Sequence, residues 1–172
     1  MRLTDDEWES AFDNFGSSAF RLEVQQTYAM SDELEDLELY RSGAPRPDGY
    51  NEEWHAYVRG HVAAGKGIQR VKLIRRPFTD YTRFLMAWGV PGNVEAGEDY
   101  RIVDVRADEV VELPEQDFWF FDDKTVIHLD FDPGGTLLGI DLVEDPDLAR
   151  YRRWRELGLR LGLPFRDWHA GA

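Results

Sequence analysis

The 172-residue chain contains no cysteine, which excludes disulfides, thiolate chemistry and any cysteine-based zinc site. It has no run of about 18 apolar residues, so nothing in it reads as a membrane-spanning helix. The opening MRLTDDEWES is acidic and lacks the apolar region of a secretory signal. A cytoplasmic protein without membrane association is therefore the expectation. The sequence also lacks internal repeats, low-complexity tracts and long linkers, the Gly-x-Ser-x-Gly nucleophile elbow, the His-Glu-x-x-His zinc motif and any dinucleotide fingerprint. No cofactor and no metal is implied. Positive charge is scarce: 20 Lys and Arg stand against 34 Asp and Glu, for a net charge of −14. Such acidity opposes non-specific binding to nucleic acid, whose phosphates most of the surface repels.

The scarce positive charge is segregated. No Asp or Glu lies between Trp54 and Thr79, a stretch that holds Arg59, Lys66, Arg70, Lys72, Arg75 and Arg76. By segment the formal charge is −10 for 1–53, +6 for 54–79, −14 for 80–149 and +4 for 150–172. Two electrostatic faces suggest a charged partner or ligand without naming it. Aromatic residues are plentiful, with six Trp, seven Tyr and ten Phe, which excludes general disorder. The length suits one domain with a substantial core, so 1–172 is expected to be a single domain.

Periodicity outlines the elements. Thr4 and Glu7 form a capping box ahead of Trp8, Ala11, Phe12 and Phe15, which share a helical face. Residues 19–27 alternate as a strand, 31–40 read as an acidic helix, and Asn51 is placed to cap a helix running to 64. A strand is expected over 68–75, a short helix after Thr79 with Tyr81, Phe84, Leu85 and Trp88 on one face, and a strand over 100–105. Turns at Asp122-Asp123 and at Asp132-Pro133-Gly134-Gly135 predict a meander over 117–143, with Leu129 opposite Leu138 and Ile127 opposite Ile140. Asp145-Pro146-Asp147 starts a last helix, with Pro146 at its first position, reaching about Leu161. Helices gather at the ends and strands in the middle, without regular strand–helix–strand alternation. The expected class is α+β: a mainly antiparallel sheet with a C-terminal β-meander and helices packed on one face.

Several residue sets admit both a functional and a structural role. Along residues 68–76, Arg70, Lys72 and Arg76 point one way, with Ile74 among them, and Val71 and Leu73 the other. That cationic face suits phosphate or nucleic-acid backbone, or equally a solvated face paired with carboxylates. Gly65-Lys66-Gly67 follows a helix and lacks the P-loop frame, so it reads as a helix stop. His128, Asp130 and Asp132 alternate along one strand, with Asp141 beside them, but Asp132 already serves the turn, and a metal site is not favoured. Phe118 and Phe120 point to the core. Trp119 and Phe121 are expected on the opposite side, with His128, either stacking a ligand or covered by a helix. Arg150, Arg152, Arg153 and Arg155 oppose the macrodipole at the start of the last helix, so Arg152, Arg153 and Arg155 are candidates for partner binding.

Phrases along the chain carry a resemblance: Ser18-Ala19-Phe20-Arg21-Leu22-Glu23; Pro77 with Thr79-Asp80-Tyr81 and Arg83-Phe84; Ala87-Trp88-Gly89 and Asn93; Ala96-Gly97-Glu98-Asp99 with Arg101; Asp117-Phe118-Trp119 with Phe121-Asp122-Asp123; and Tyr151-Arg152-Arg153-Trp154. From about residue 12 to 168 the chain resembles an actinobacterial domain family of unknown function, often encoded beside helix-turn-helix regulators. The resemblance implies a small regulatory or defence-like module and carries no catalytic set. The polar members of these phrases, Asp80, Tyr81, Arg83, Glu98, Asp99 and Arg101, either tie the middle helix to the sheet or line a pocket for a small anion. The expected function is an accessory or regulatory protein acting by protein–protein contact, plausibly with a helix-turn-helix regulator. The alternative is a phosphate-ligand or nucleic-acid-binding module, in one version a toxin-like nuclease, working through Arg70, Lys72, Arg76, Tyr81, Arg83, Arg101, Trp119 and Phe121.

Overall fold

Strand β1 (Ser18–Glu23) is buried over all but its first residue, because it lies near the middle of a sheet covered on both sides. The structure is a computed structural model that describes residues 1–31 and 33–169. Among these residues the other strands are β2 (Gly67–Arg76), β3 (Asp99–Arg106), β4 (Asp117–Phe121), β5 (Thr125–Phe131), β6 (Leu137–Leu142) and the short β7 (Leu163–Pro164), in the order β6-β5-β4-β1-β2-β3-β7. The helices are α1 (Asp5–Asn14), α2 (Leu34–Arg41), α3 (Glu52–Ala63), α4 (Asp80–Phe84), α5 (Val90–Ala96) and α6 (Leu148–Leu161), and a π-helical turn, Leu85–Gly89, joins α4 to α5. The mixed α+β class is as expected, and the sheet is mostly antiparallel.

Two expectations about the sheet and the helices that cover it need correction. The strands β1, β2 and β3 are parallel neighbours. The chain between β1 and β2 carries α2 and α3, and that between β2 and β3 carries α4 and α5, so two strand–helix–strand crossovers do exist. They are hidden in the sequence because the first crossover is long and loop-rich and the second is bent by a π turn. The helices also cover both faces, not one. Phe20, Leu22, Val71, Leu73, Val103, Phe118 and Phe120 pack under α6, where Leu148, Tyr151, Trp154 and Leu157 meet them. On the opposite face Ala19, Ile68, Trp119, Phe121 and Ile127 pack under α1 and α3.

Local chemistry sets the ends of these elements. The Thr4–Glu7 capping box starts α1, with the Thr4 amide donating to Glu7 Oε2 at 2.9 Å. Asn51 does not cap α3 with its side chain; it sits in the left-handed region and its amide nitrogen donates to Asn93 Oδ1 at 3.2 Å. The helix expected over 31–40 is observed as α2, and its residue 32 lies outside the described residues. In the β5–β6 pair Leu129 faces Ile140 and Ile127 faces Leu142, two residues from the expected register. An irregularity at Asp130/Phe131 takes up one residue of the difference and the turn the other, and a shift of two keeps each side chain on its face. His128 lies opposite Phe118, so it stands on the α6 side and not with Trp119 and Phe121.

Candidate functional site

The parallel register of β1, β2 and β3 brings charged side chains together under α1, α3 and the α4–α5 segment. Trp119, Arg21, Arg70 and Tyr100 stand side by side across β4, β1, β2 and β3. Two residues further on, Glu23 stands opposite Lys72. A strand alternating Arg21 and Glu23 with Phe20 and Leu22 ordinarily turns its charges to water. Here the helices cover them, and Arg21, Glu23, Lys72, Glu98 and Asp117 are all buried.

Buried charges persist only when paired and hydrogen-bonded. Arg70 meets both conditions: Nε donates to Glu98 Oε1 at 2.5 Å and Nη1 to Glu23 Oε1 at 2.6 Å. Its guanidinium carbon lies 5.4 Å from the ring centre of Trp119 and 5.6 Å from those of Trp54 and Tyr100. Arg21 Nη2 donates to Asp117 Oδ2 at 2.8 Å, and Tyr28 donates to the same oxygen at 2.6 Å. The other oxygen of Asp117 accepts from the backbone of Val24 at 2.8 Å, just past the end of β1. Lys72 Nζ donates to the Gln25 carbonyl and lies 4.6 Å over the Tyr28 ring. Among the described residues, Arg21 Nη1 is buried without a hydrogen-bond partner.

These contacts shift ionisation in opposite directions. Burial raises the Glu23 carboxyl, but the charges of Arg70, Arg21 and Lys72 outweigh it and hold the group down at about 2. Burial lowers Lys72, with Glu23 and Asp117 acting against it, and the net shift is downward. Burial pushes the Tyr28, Tyr81 and Tyr100 hydroxyls up, and the neighbouring carboxylates Glu23, Asp117 and Glu33 add to the shift.

Above this floor is a cavity of about 510 Å³. Glu23, Arg70, Tyr100 and Trp119 line it from the sheet, Trp8 and Phe12 from α1, Trp54 from α3, and Tyr81, Leu85 and Asn93 from the α4–α5 segment. Glu33 and Tyr50 complete it from the first crossover, and the Tyr81 hydroxyl donates to Glu33 Oε2 at 2.8 Å. Two glycines hold the helical wall in place. Gly97, at φ +113°, ends α5 in the left-handed region and turns the chain so that Glu98 drops beside Arg70. Gly92 lets α5 press on α3, because a Cβ there would lie 2.4 Å from the His55 ring. His55 Nε2 in turn lies 3.2 Å from Asn93 Oδ1.

The residues singled out from the sequence are dispersed. Arg70, Tyr81 and Trp119 do converge on the cavity. Lys72 shares their side of the sheet but has 0% exposure, so the three cations of β2 do not make an open phosphate-binding face. Arg76 clasps Asp104 through Nε at 3.0 Å and Nη2 at 2.8 Å. It lines a separate groove with Arg83, whose Nη1 donates to the Phe78 carbonyl. Arg101 points to the α6 side, bound to Asp99 and to the Leu159 carbonyl. Thus neither Arg83 nor Arg101 ties the middle helix to the sheet; Arg70 and Glu98 do. Phe121 is buried against Phe12 and Phe15. On α6, Arg152 and Arg155 converge on Asp123, while Arg153 is exposed. His128 Nε2 lies 2.8 Å from the Tyr151 hydroxyl, and among the described residues no group of three or more His, Asp or Glu is placed to hold a metal.

Sequence reasoning missed Glu23 and Asn93 as site residues, although each lies in a phrase of the resemblance; Glu98 was named among the polar residues of those phrases, but not as the partner of Arg70. It missed Trp8 and Trp54 as walls, because aromatic residues at helical spacing read as core, and Tyr50 and Tyr100, which lie in a turn and in β3. The signal available was the pair Arg21 and Glu23 in a short strand otherwise apolar after Ser18, together with an Arg at the corresponding place of the next strand.

A family model for a domain of unknown function, DUF6879, matches residues 6–170. Comparison with curated proteins finds no match. Among the described residues no helix is long and apolar enough to cross a membrane.

Proposed function

The chain belongs to the DUF6879 family of domains of unknown function, and from that premise we propose that it is an accessory domain that binds a small organic molecule in the aromatic cavity above Arg70. One observation carries the reading: a cavity of about 510 Å³, within the usual range for small-molecule sites, has an apolar aromatic wall and a floor of charges already neutralised by one another. Arg70 is held from two sides and stacked among three rings, so the floor is rigid before any ligand arrives. A preorganised floor spares a ligand the cost of ordering it. The six tryptophans include three in the wall, Trp8, Trp54 and Trp119, which makes intrinsic fluorescence the natural readout. Titration of the full chain with a panel of small aromatic and aliphatic compounds should shift that emission and raise the melting temperature, and Trp54→Ala should abolish both responses. A panel that moves neither signal in the wild type would end the proposal.

The regulatory role joins this reading through the outer surface. With a net charge of −14 and an exposed α2 face carrying Leu34, Glu35, Glu38 and Leu39, the domain complements a basic partner such as a helix-turn-helix regulator in the cytoplasm. Ligand occupancy would reach α2 through Glu33, which precedes the helix and lines the cavity. The test is a salt-sensitive complex with a neighbouring helix-turn-helix protein, weakened by Glu35→Lys with Glu38→Lys. A complex indifferent to both salt and these changes would remove the acidic face from the account. Nucleic acid is the less favoured partner, because Lys72 is buried and Arg70 is doubly paired.

A further inference from the structure

We infer that the cavity takes an uncharged ligand that presents a hydrogen-bond acceptor, a ketone or amide carbonyl, on an apolar body; the inference rests on the binding role proposed above. Three donors in the lining select the class. Arg70 spends Nε on Glu98 and Nη1 on Glu23, which leaves Nη2 without an acceptor among the described residues. Asn93 is 7% exposed; its Oδ1 takes Asn51 Nδ2 at 3.2 Å and lies 3.2 Å from His55 Nε2, while its own Nδ2 has no acceptor among them. Trp119 is 5% exposed, and its indole Nε1 has none either. Among the described residues only Arg21 Nη1 is sealed from the surroundings without a partner, so these three nitrogens are open, and all three residues line the cavity. Buried groups that can only donate are satisfied by a ligand that accepts.

The carboxylates of the lining, in contrast, are already engaged. Glu23 Oε1 accepts from Arg70 and Oε2 from the Tyr100 hydroxyl at 3.4 Å, and Glu33 accepts from Tyr81. The hydroxyls of Tyr81 and Tyr100 are spent in the same contacts. An ammonium group carries donors alone and would face donors again in Arg70, Asn93 and Trp119. A carbonyl oxygen, with two lone pairs, meets its complement there.

Charge selects the uncharged member of the acceptor class. In the floor Arg21, Arg70 and Lys72 are matched in number by Glu23, Glu98 and Asp117, so no cation is left over to balance an anion. A carboxylate or phosphate would find Arg70 already held by two carboxylates. It would also approach past Glu9, Asp13 and Glu53. These line an outer cavity of about 520 Å³ that shares Trp8, Phe12, Asn51 and Trp54 with the inner one, and they repel anions. A neutral carbonyl keeps the acceptor and avoids the repulsion. The rest of the ligand is apolar, because the rings of Trp8, Phe12 and Trp54 make the wall opposite the donors.

The experiment is calorimetric titration of the full chain with two sets of matched probes. Acetophenone is compared with α-methylstyrene, in which a methylene replaces the carbonyl oxygen. Benzamide is compared with benzoate and benzamidinium, which share its shape and carry a negative or a positive charge. Acetophenone should bind at least about tenfold more tightly than α-methylstyrene, because the hydrocarbon leaves buried donors unpaired. Benzamide should bind more tightly than either ion. Asn93→Asp turns one donor into an acceptor and Trp119→Phe removes another; each should weaken acetophenone severalfold more than α-methylstyrene. Far-ultraviolet circular dichroism on each variant separates loss of binding from loss of fold. Equal or tighter binding of α-methylstyrene overturns the acceptor assignment and leaves a ligand site standing. Tighter binding of benzoate or benzamidinium than of benzamide overturns the uncharged assignment. Failure of every probe overturns the inference; the wider fluorescence panel then decides separately whether the cavity binds any ligand.

Discussion

Asp117→Ala is the most demanding test of the buried floor. Asp117 is 2% exposed and its two oxygens accept from Arg21, Tyr28, Val24 and Gln25, at 2.8, 2.6, 2.8 and 3.3 Å. Removing it leaves the Arg21 guanidinium buried with Glu23 at 3.5 Å as its remaining carboxylate, and strands a tyrosine hydroxyl and two backbone amides. Breaking a buried ion pair from one side costs about 3–5 kcal/mol. In a domain of this size that lowers the melting temperature by roughly 6–20 °C, at about 2–4 °C per kcal/mol. Asp117→Asn keeps one acceptor for the two backbone amides and should fall between wild type and alanine. The exposed pair of Arg41 with Glu38 provides the comparison, since Arg41→Ala should cost under about 1 kcal/mol. The assay is urea denaturation followed by tryptophan emission, read as a change of midpoint at constant slope. An Asp117→Ala variant within about 1 kcal/mol of wild type would refute the view that the floor depends on its internal pairing.

Three further outcomes follow from the same geometry. Because Glu23 is held at about 2 in the folded state against 4.5 otherwise, its contribution is complete above pH 4.5 and is lost as the pH falls from there towards 2; it amounts to about 3 kcal/mol, and Glu23→Gln should flatten the acid limb of a stability–pH curve. Gly92→Ala drives a methyl into the His55 ring and should destabilise by about 1–3 kcal/mol, seen as a lower melting temperature, with α3 and α5 forced apart and ligand affinity reduced. Arg155→Ala should lower stability more than Arg153→Ala, since Arg155 is mostly covered and bound to Asp123 while Arg153 is exposed; equal losses in thermal unfolding would contradict the assignment.

Much of the architecture was legible where a local rule acts alone. The Thr4 capping box and the stop at Gly65 each follow from one or two residues and reappear in place, whereas the last helix begins at Leu148, capped by Asp147, with Pro146 ahead of it and not at its first position. The parallel centre was not legible, because strand direction depends on crossovers whose signals are diluted by the loop after α2 and the π turn. The site suffered from the reverse problem. Arg70 and Trp119 were picked out, yet their partners Glu23 and Glu98 lie 47 and 28 residues from Arg70, on other elements. Alternation says which face of a strand a residue takes, not whether a helix closes over that face. Arg21 and Glu23 therefore read as solvated until α1 and α3 are in view.

The charged floor also has a bearing on how the sheet finds its alignment. Arg21 and Arg70 are direct neighbours across a parallel pair, a like-charge contact tolerable only with Asp117, Glu23 and Glu98 in place around them. Hydrophobic strands alone would accept a sliding partner. If β1 moved one residue along β2, Arg21 and Glu23 would swing under α6 among Phe118, Phe120 and Tyr151, away from Asp117 and Glu98, and Phe20 and Leu22 would take their place. Each ion pair thus works as a notch that only one alignment fits. A variant with the whole set replaced by well-packed apolar residues is expected to keep or raise its stability, yet to lose the single strand alignment the native chain holds.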